Sequence, residues 1–329
     1  MPKGGIFTDF LSKTDTSLDF FTILAAITVV FVNGFTDAPN AIFSVVSTGK
    51  LKLWQGALLG GIFNLLGVIV SSFVFKGVGS SILEIYEIGG KENKAACLAC
   101  FLTVIIFGLI AWLFGMPSSE SHALIFSLLG ISFISGNGII KSLKSLIFVL
   151  FGVAFSCFLS FFTTLLVKLI LKRRNLPYKE LLAFSCASLS FMHGAQDGQK
   201  FIALLLILTS TQKSDGFYFP AVLLVSCVMA FSTLLGGKRI ILSMSKLSNE
   251  TDFSSSFYSD VGAFLSLIAC SLLGMPVSTG CIKSFSIIAP TNLSRENKKM
   301  ISKILITSLI TLPVSFVLGA VLYKIISLF

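Results

Sequence analysis

Two acidic residues stand inside stretches of sequence that are otherwise apolar and long enough to cross a membrane. Asp37 lies in the first signature, residues 33–41 (Asn-Gly-Phe-Thr-Asp-Ala-Pro-Asn-Ala), and Asp197 lies in the second signature, residues 193–200 (His-Gly-Ala-Gln-Asp-Gly-Gln-Lys). A carboxylate at membrane depth is costly, so it is retained where a partner compensates for its charge. Because flanking glycine and proline loosen a helix and free backbone carbonyls, the two signatures predict a site for a hard cation.

Oxygen-bearing side chains surround both aspartates in the sequence. Carboxylate, amide and hydroxyl oxygens are the hard ligands that sodium takes in proteins. The candidate cation ligands are Asp37, Asp197, Asn33, Thr36, Asn40 and Gln199. Proton carriage by the two carboxylates is one alternative. The other is structural pairing of the acids inside a helical bundle, with Lys200 neutralising Asp197.

Two serine-containing motifs predict a site for an anion. They are the first serine motif, residues 115–122 (Gly-Met-Pro-Ser-Ser-Glu-Ser-His), and the second, residues 274–279 (Gly-Met-Pro-Val-Ser-Thr). A proline in the first turn pre-sets a helix start, and the N–H groups and hydroxyls there bind oxyanions without arginine. Ordinary capping explains one copy equally well, but both copies lie at matching positions within apolar sequence. The candidate anion ligands, including two residues of the second signature, are Ser118, Ser119, Ser121, Ser278, Thr279, Gln196 and Lys200.

Four further residues near these motifs have less defined roles. Glu120 and His122 are consistent with a proton relay, and equally with a position facing water at the mouth of a re-entrant hairpin. Lys283 and Trp112 are interpreted as structural residues.

The composition places these motifs in a membrane protein. Apolar residues make up 54 % of the chain and charged residues 12 %, whereas soluble domains carry roughly 25 % charge. Mean hydropathy is +0.93, and nearly uncharged windows of about 19 residues recur along the chain, as in a polytopic membrane protein. The net charge of +10 does not indicate nucleic acid, because Lys and Arg lie in short loops. Two histidines and an isolated Cys97-x-x-Cys100 do not make a zinc, haem or redox site.

The apolar stretches occur in the same order in each half of the chain. The interval from Gly34 to Gly115 is 81 residues and the interval from Gly194 to Gly274 is 80, which indicates an internal repeat. We divide it at a basic linker into a first membrane repeat, residues 1–171, and a second, residues 172–329. Ten spans are expected, some broken or re-entrant, at about 20–46, 53–75, 95–115, 116–136, 145–171, 181–211, 218–236, 258–274, 275–290 and 302–328, with polar loops at 76–94 and 238–252.

Five spans in each half require the halves to enter the membrane in opposite senses. That is the inverted-topology repeat of many secondary transporters. The loops predicted for one side carry fourteen Lys or Arg residues, and those of the other side, with both termini, carry nine. The more basic side is expected to face the cytoplasm, which leaves both termini outside.

The motifs together carry a family resemblance. The second signature resembles the His-Gly-Ala-Asn-Asp-x-Gln-Lys sequence of the inorganic phosphate transporter (PiT) family, and the first resembles that family's Gly-Ala-Asn-Asp-x-x-Asn-Ala copy. The serine motifs resemble its Gly-Leu-Pro-x-Ser-x-x-His motifs, and residues 236–241 resemble its Gly-Gly-x-Arg stretch. The family asparagine is replaced by Thr36 and Gln196, and Cys281 follows the second serine motif where the family has histidine.

The resemblance implies a symporter that couples phosphate uptake to a sodium or proton gradient, as a homodimer. We therefore expect an all-helical transporter in the cytoplasmic membrane of a prokaryote, embedded in lipid, with Na⁺ or H⁺ as coupling ion and no covalent cofactor. The cation would bind between the aspartates and the phosphate between the serine motifs. A sulfate permease of the same family is the nearest alternative. An intramembrane phosphatase is the alternative of another class, for which Ser121 beside His122 is the one hint, and a passive anion channel conflicts with the paired acids.

Overall fold

The computed structural model describes residues 17–74, 77–88, 94–115, 119–135, 139–208, 218–247, 252–290 and 295–328. Within these ranges the chain is helical, and no β-strand occurs in them. In chain order the helices are α1 (Ser17–Thr36), α2 (Pro39–Ser47), α3 (Leu53–Val74), α4 (Gly77–Ile88), α5 (Lys94–Leu113), α6 (Glu120–Ile134), α7 (Ile139–Leu171), α8 (Tyr178–Leu208), α9 (Tyr218–Leu235), α10 (Lys238–Leu247), α11 (Phe253–Leu272), α12 (Thr279–Ile288) and α13 (Arg295–Ile326).

The predicted all-α polytopic membrane architecture is confirmed. Seven helical stretches among the described residues are long and apolar enough to cross a membrane, and α1 with α2 counts as one of them. Helices α6 and α12 are apolar but shorter, and α8 carries the polar second signature. The expected total of ten spans stays a prediction.

The first apolar stretch is broken at Asp37, as expected, and the second stretch is not broken at Asp197. Helix α1 ends at Thr36 and α2 begins at Pro39, because proline has no N–H to continue the helical hydrogen bonding. At the equivalent place the second signature has Gln199, which keeps its N–H, and α8 runs unbroken through Asp197.

The signature glycines allow close helix packing, where we had expected them to loosen the helices. A Cβ at Gly34 would lie 2.0 Å from Ser232 Oγ on α9, and a Cβ at Gly194 would lie 2.2 Å from the Asn64 carbonyl oxygen on α3. Helix α8 contacts α1, α2, α3, α4, α5, α9 and α11. The second signature therefore lies at the centre of the bundle.

Helix α4 lies where a polar loop was expected, so that expectation is wrong for residues 77–88; residues 89–93 lie outside the described part of the chain. Its first turn packs against the start of the second serine motif. A Cβ at Gly77 would lie 2.8 Å from Gly274 Cα, and Ser81 Oγ donates to the Gly274 carbonyl at 2.8 Å. This tertiary contact favours a helix that the polar composition did not predict.

Helix α10 likewise replaces most of the predicted loop at 238–252. Its Ile240 and Ile241 side chains are buried, while the Arg239 guanidinium stacks over the Trp112 ring with its Cζ 4.8 Å from the centroid. The segment is thus amphipathic, with an apolar side packed on the bundle and a charged side outside.

Two glycines end the helices that precede the short helices α6 and α12. Gly115 and Gly274 have φ of +59° and +67°, the left-handed conformation that glycine adopts without strain. Each turns the chain after α5 or α11 so that the serine motif leads into a new helix start. The two starts are thereby aimed at the interior.

Candidate functional site

Asp37 occupies the two-residue break between α1 and α2 and is fully buried. Its Oδ1 accepts a hydrogen bond from Asn40 Nδ2 at 2.7 Å, and its Oδ2 accepts one from Thr279 Oγ1 at 2.9 Å. The carboxylate therefore joins the start of α2 to the first residue of α12.

Asp197 lies on α8 and is also fully buried. Its Oδ2 accepts from Asn33 Nδ2 at 3.0 Å, and its Oδ1 accepts from Lys200 Nζ at 2.7 Å. The same ammonium donates to Ser121 Oγ at 2.6 Å and to the Val277 carbonyl at 2.7 Å. All three N–H donors of Lys200 are thus used, and its ammonium balances the charge of Asp197. The expected contact of Lys200 with an anion stays a prediction.

His193 lies between the two aspartates. Its Nε2 is 3.5 Å from Asp197 Oδ2 and 3.9 Å from Asp37 Oδ2, and one ligand atom from each of the three residues lies within 4.8 Å of the others. Its Nδ1 is 3.1 Å from Asn64 Oδ1, while Asn64 Nδ2 donates to Thr233. Because Asn64 presents an oxygen, Nδ1 carries the hydrogen and the Nε2 of a neutral imidazole directs its lone pair at two carboxylates. A cation or a proton is needed there.

Buried amide oxygens around the aspartates have no hydrogen-bond partner. Asn33 and Asn40 give their Nδ2 hydrogens to the aspartates, Gln196 Nε2 donates to the Met275 carbonyl at 3.3 Å, and Gln199 Nε2 donates to the Ala195 carbonyl at 3.1 Å. The free oxygens are Asn33 Oδ1, Asn40 Oδ1, Gln196 Oε1 and Gln199 Oε1. A buried acceptor without a donor costs about 1–3 kcal/mol. This set of oxygens fits a hard cation.

The two short helices begin at the serine motifs, as predicted. Ser119 caps α6 by accepting from the His122 N–H at 3.3 Å, and Ser278 caps α12 by accepting from the Cys281 N–H at 3.2 Å. Pro276 precedes the α12 cap by two residues, so its expected place in the first helical turn is wrong. Ser118 lies outside the described residues.

Glu120 adds a third buried carboxylate to the site. It is the first residue of α6, and its Oε1 accepts a hydrogen bond from Thr36 Oγ1, which links the start of α6 to the end of α1. Its Oε2 and both ring nitrogens of the buried His122 have no hydrogen-bond partner. Both side chains are inside the protein, which removes the alternative that they face water.

The buried charges of the site do not balance. With His193 neutral, the carboxylates of Asp37, Asp197 and Glu120 face the single ammonium of Lys200. Unpaired charges inside a low-dielectric interior are unstable. The arrangement therefore requires bound cations or protons, and its field opposes the binding of an anion until they have bound.

A comparison with known proteins places this arrangement in a family. The sequence model of the phosphate transporter family matches residues 33–180 and again residues 172–319. The chain belongs to the phosphate transporter family. The resemblance drawn from the signatures is thus confirmed, and with it the expectation that the chain is a transporter and not an enzyme.

Relatives within the phosphate transporter family cover nearly the whole chain. A protein of Bacillus subtilis named a probable low-affinity inorganic phosphate transporter is 28 % identical over 94 % of this chain and 98 % of its own length. One of Rhizobium meliloti with the same name is also 28 % identical, with the same coverage. A solved structure of a protein named the sodium-dependent phosphate transporter has 16 % sequence identity and a TM-score of 0.76, and the match covers 95 % of this chain and 100 % of that one. It shares the fold.

Hydrogen bonds bring together most of the predicted site residues that the structure describes: Asp37 with Asn40 and Thr279, Asp197 with Asn33 and Lys200, and Lys200 with Ser121. Gln199 donates within its own helix, and Ser119 and Ser278 cap their own helices, so the place of these three at a common site stays a prediction. His193 and Asn64 were not assigned a role in advance. The spacing of His193 from Asp197, four residues on one helix, is a signal that could have identified the first. Asn64 carries only the weaker signal of an amide within an apolar span.

Proposed function

We propose that this phosphate transporter family member imports inorganic phosphate by symport with sodium across the cytoplasmic membrane of a prokaryote. The observation that carries the cation part is the His193 Nε2 lone pair, which faces two buried carboxylates, together with four buried amide oxygens that lack donors. The names of the relatives support phosphate as the anion, and the name of the structurally similar protein supports sodium.

The residues divide into two groups. The cation ligands are Asp37, Asp197, Asn33, Thr36, Asn40 and Gln199, and the phosphate ligands are Ser118, Ser119, Ser121, Ser278, Thr279, Gln196 and Lys200. The groups interlock, because Thr279 donates to Asp37 and Ser121 accepts from Lys200. A cation that takes over Asp37 releases the Thr279 hydroxyl to donate to an anion. This exchange of partners is the coupling step that we propose.

Charge balance sets the order of binding. The excess of carboxylates over ammonium groups raises the energy of a phosphate ion at the serine motifs until cations have entered. Phosphate at neutral pH also carries hydrogen, which needs acceptors, and Gln196 Oε1 is a buried acceptor without a donor. A site for sulfate would hold donors almost alone.

Proton coupling is the second candidate, and one observation favours it. Glu120 Oε2 and both nitrogens of His122 are buried without partners, so this pair can hold protons in place of sodium.

The two halves, residues 1–171 and 172–329, are proposed to lie in opposite orientations, for which the two successive family matches give support. The homodimer implied by the family resemblance is likewise proposed, and the mass of the purified protein in detergent tests it.

Competition for uptake tests the anion. Purified protein in liposomes is given labelled phosphate in a sodium gradient, with arsenate or sulfate added in excess. Arsenate, which has the same shape and protonation as phosphate, is expected to block uptake, and sulfate is expected to leave it unchanged. Equal inhibition by sulfate would assign the chain to sulfate instead.

A further inference from the structure

A second buried ion pair lies beside α2, apart from the residues assigned to phosphate and its coupling cation. Asp260 on α11 and Lys283 on α12 are 0 % and 1 % exposed, and the Lys283 ammonium donates directly to Asp260 Oδ1. Neither residue belongs to a signature or to a serine motif, so the transport mechanism leaves a buried acid and a buried base without a role.

The Lys283 ammonium contacts oxygen atoms from two helices, α2 and α11. Its Nζ lies 2.9 Å from Ser44 Oγ on α2 and 2.9 Å from Ser259 Oγ on α11, in addition to Asp260 Oδ1. Ser44 Oγ in turn donates to Asp260 Oδ1 at 2.6 Å, and Ser185 Oγ on α8 donates to Asp260 Oδ2 at 3.0 Å. One carboxylate and hydroxyl oxygens are the donor set of a hard monovalent cation. We name Ser44, Ser185, Ser259 and Asp260 the ammonium shell.

The first half of the internal repeat has no charged residue at the positions equivalent to Lys283 and Asp260. At the spacing that aligns Gly115 with Gly274, Lys283 falls opposite Leu124 and Asp260 falls opposite Phe101. The first half thus builds the corresponding helix contact from apolar side chains. The ion pair is a feature of the second half alone, and the fold itself does not account for it.

The contact of Lys283 with the ammonium shell links α2 to α12 beside the candidate site. Ser44 lies one turn after Asn40 on α2, and Lys283 lies one turn after Thr279 on α12. Asn40 and Thr279 are the two residues that donate to Asp37. Because the ammonium is covalently attached to α12, it stays in the shell whatever ions occupy the neighbouring site.

We propose that the ammonium shell is a monovalent-cation site whose permanent occupant is the Lys283 ammonium. Removing the lysine side chain leaves Asp260 buried without a counter-charge, a state that destabilises proteins strongly. In Lys283→Ala it also leaves a space the length of three methylenes and an ammonium. A free sodium ion or a small alkylammonium ion then fills the shell and restores the charge balance.

Ion-dependent thermal unfolding of the full-length Lys283→Ala protein in detergent tests this proposal. Melting temperatures are compared in sodium chloride, methylammonium chloride and choline chloride of equal concentration. At sodium concentrations well above the dissociation constant of the site, each tenfold rise in free sodium increases the folding equilibrium constant tenfold. For a chain of this size, this corresponds to a rise of about 2 °C in the melting temperature. Lys283→Ala is expected to gain this response on top of that of the wild type, and methylammonium is expected to stabilise it where choline does not.

Two control variants separate the ammonium shell from the neighbouring site. Lys283→Met fills the space with an apolar chain, and Asp260→Asn with Lys283→Ala removes both charges, so both are expected to respond to sodium as the wild type does. The wild-type response reports on the sodium ligands proposed above, and the excess response of Lys283→Ala reports on the shell, so either can fail alone. No excess response, an equal excess in the double variant, or a Lys283→Ala protein that aggregates even when prepared in sodium would each overturn the proposal.

Discussion

Replacing Asp37 by asparagine removes a buried charge and keeps the shape of the side chain. The ligand oxygens of Asp37 and Asp197 lie within 4.8 Å of each other, and two unit charges at that separation repel by about 3 kcal/mol at an effective dielectric constant of about 20. The asparagine keeps one acceptor for its two donors, Asn40 and Thr279, and loses one hydrogen bond worth about 1 kcal/mol. In sodium-free solution the variant is therefore expected to be more stable than the wild type by about 2 kcal/mol.

The assay compares the free energy of unfolding in choline chloride and in sodium chloride. The wild type is expected to gain stability from sodium by mass action, and Asp37→Asn is expected to lose most of that gain together with sodium-driven phosphate uptake. A variant that is less stable than the wild type without sodium, or that keeps the sodium response and the uptake, would refute the assignment of Asp37 as a cation ligand.

Asp252→Asn is the matched control. Asp252 is exposed and caps α11 by accepting from the Ser255 N–H at 3.1 Å. Burial raises the pKa of its carboxyl, but hydrogen bonds from Ser254 and Ser255 outweigh that effect and hold the pKa below its ordinary value. Asparagine caps a helix as well as aspartate does. Because the lowered pKa means that the ionised carboxylate stabilises the fold, this variant is expected to be slightly less stable than the wild type and to retain its sodium response and uptake.

Three further substitutions give distinct outcomes. Asp197→Asn leaves Lys200 buried without its hydrogen-bonded carboxylate, which costs about 3–5 kcal/mol, and the relieved repulsion with Asp37 recovers about 3 kcal/mol of this. The single variant is therefore expected to be less stable than the wild type, whereas adding Lys200→Met restores the melting temperature but not uptake; a single variant more stable than the wild type would contradict the pairing. Thr279→Val removes the donor to Asp37 and is expected to change the sodium concentration at half-maximal uptake about tenfold, equivalent to about 1.4 kcal/mol. Thr279→Ser keeps the hydroxyl and is expected to keep the wild-type value. Identical sodium curves for Thr279→Val and the wild type would exclude a role for this hydroxyl. Ser119→Ala is expected to lose about 1 kcal/mol of helix capping and to raise the phosphate concentration at half-maximal uptake, and an unchanged value would move the anion away from α6.

The meeting of the two signatures could be predicted because the repeat places Asp37 and Asp197 at equivalent positions in the sequence. The break at Asp37 could be predicted as well, since Pro39 follows it and proline interrupts helical hydrogen bonding. No such break occurs at Asp197, because Gln199 stands in the place of that proline and α8 continues. Here the identity of one residue outweighed the similarity of the motifs.

The contacts between distant helices could not be predicted. His193 reaches Asp37 only because α8 packs tightly against α3 and α1, where Gly194 allows the close approach. Lys283 and Asp260 lie on different helices with no repeated motif around them, so their pairing depends on the packing of α11 against α12. The pattern of residues along one sequence does not show which distant helices pack against each other.

Uptake of labelled phosphate into proteoliposomes is the measurement that tests the central claim most directly. The liposomes hold equal phosphate inside and outside, and an inward sodium gradient and an inward proton gradient are imposed separately, with the membrane potential clamped. We predict that the sodium gradient alone concentrates phosphate inside the wild-type vesicles and fails to do so with Asp37→Asn. Phosphate accumulation driven by the proton gradient alone would show that protons are the coupling ion and would assign their binding to Glu120 and His122. Phosphate uptake that responds to neither gradient would contradict coupled transport by this chain.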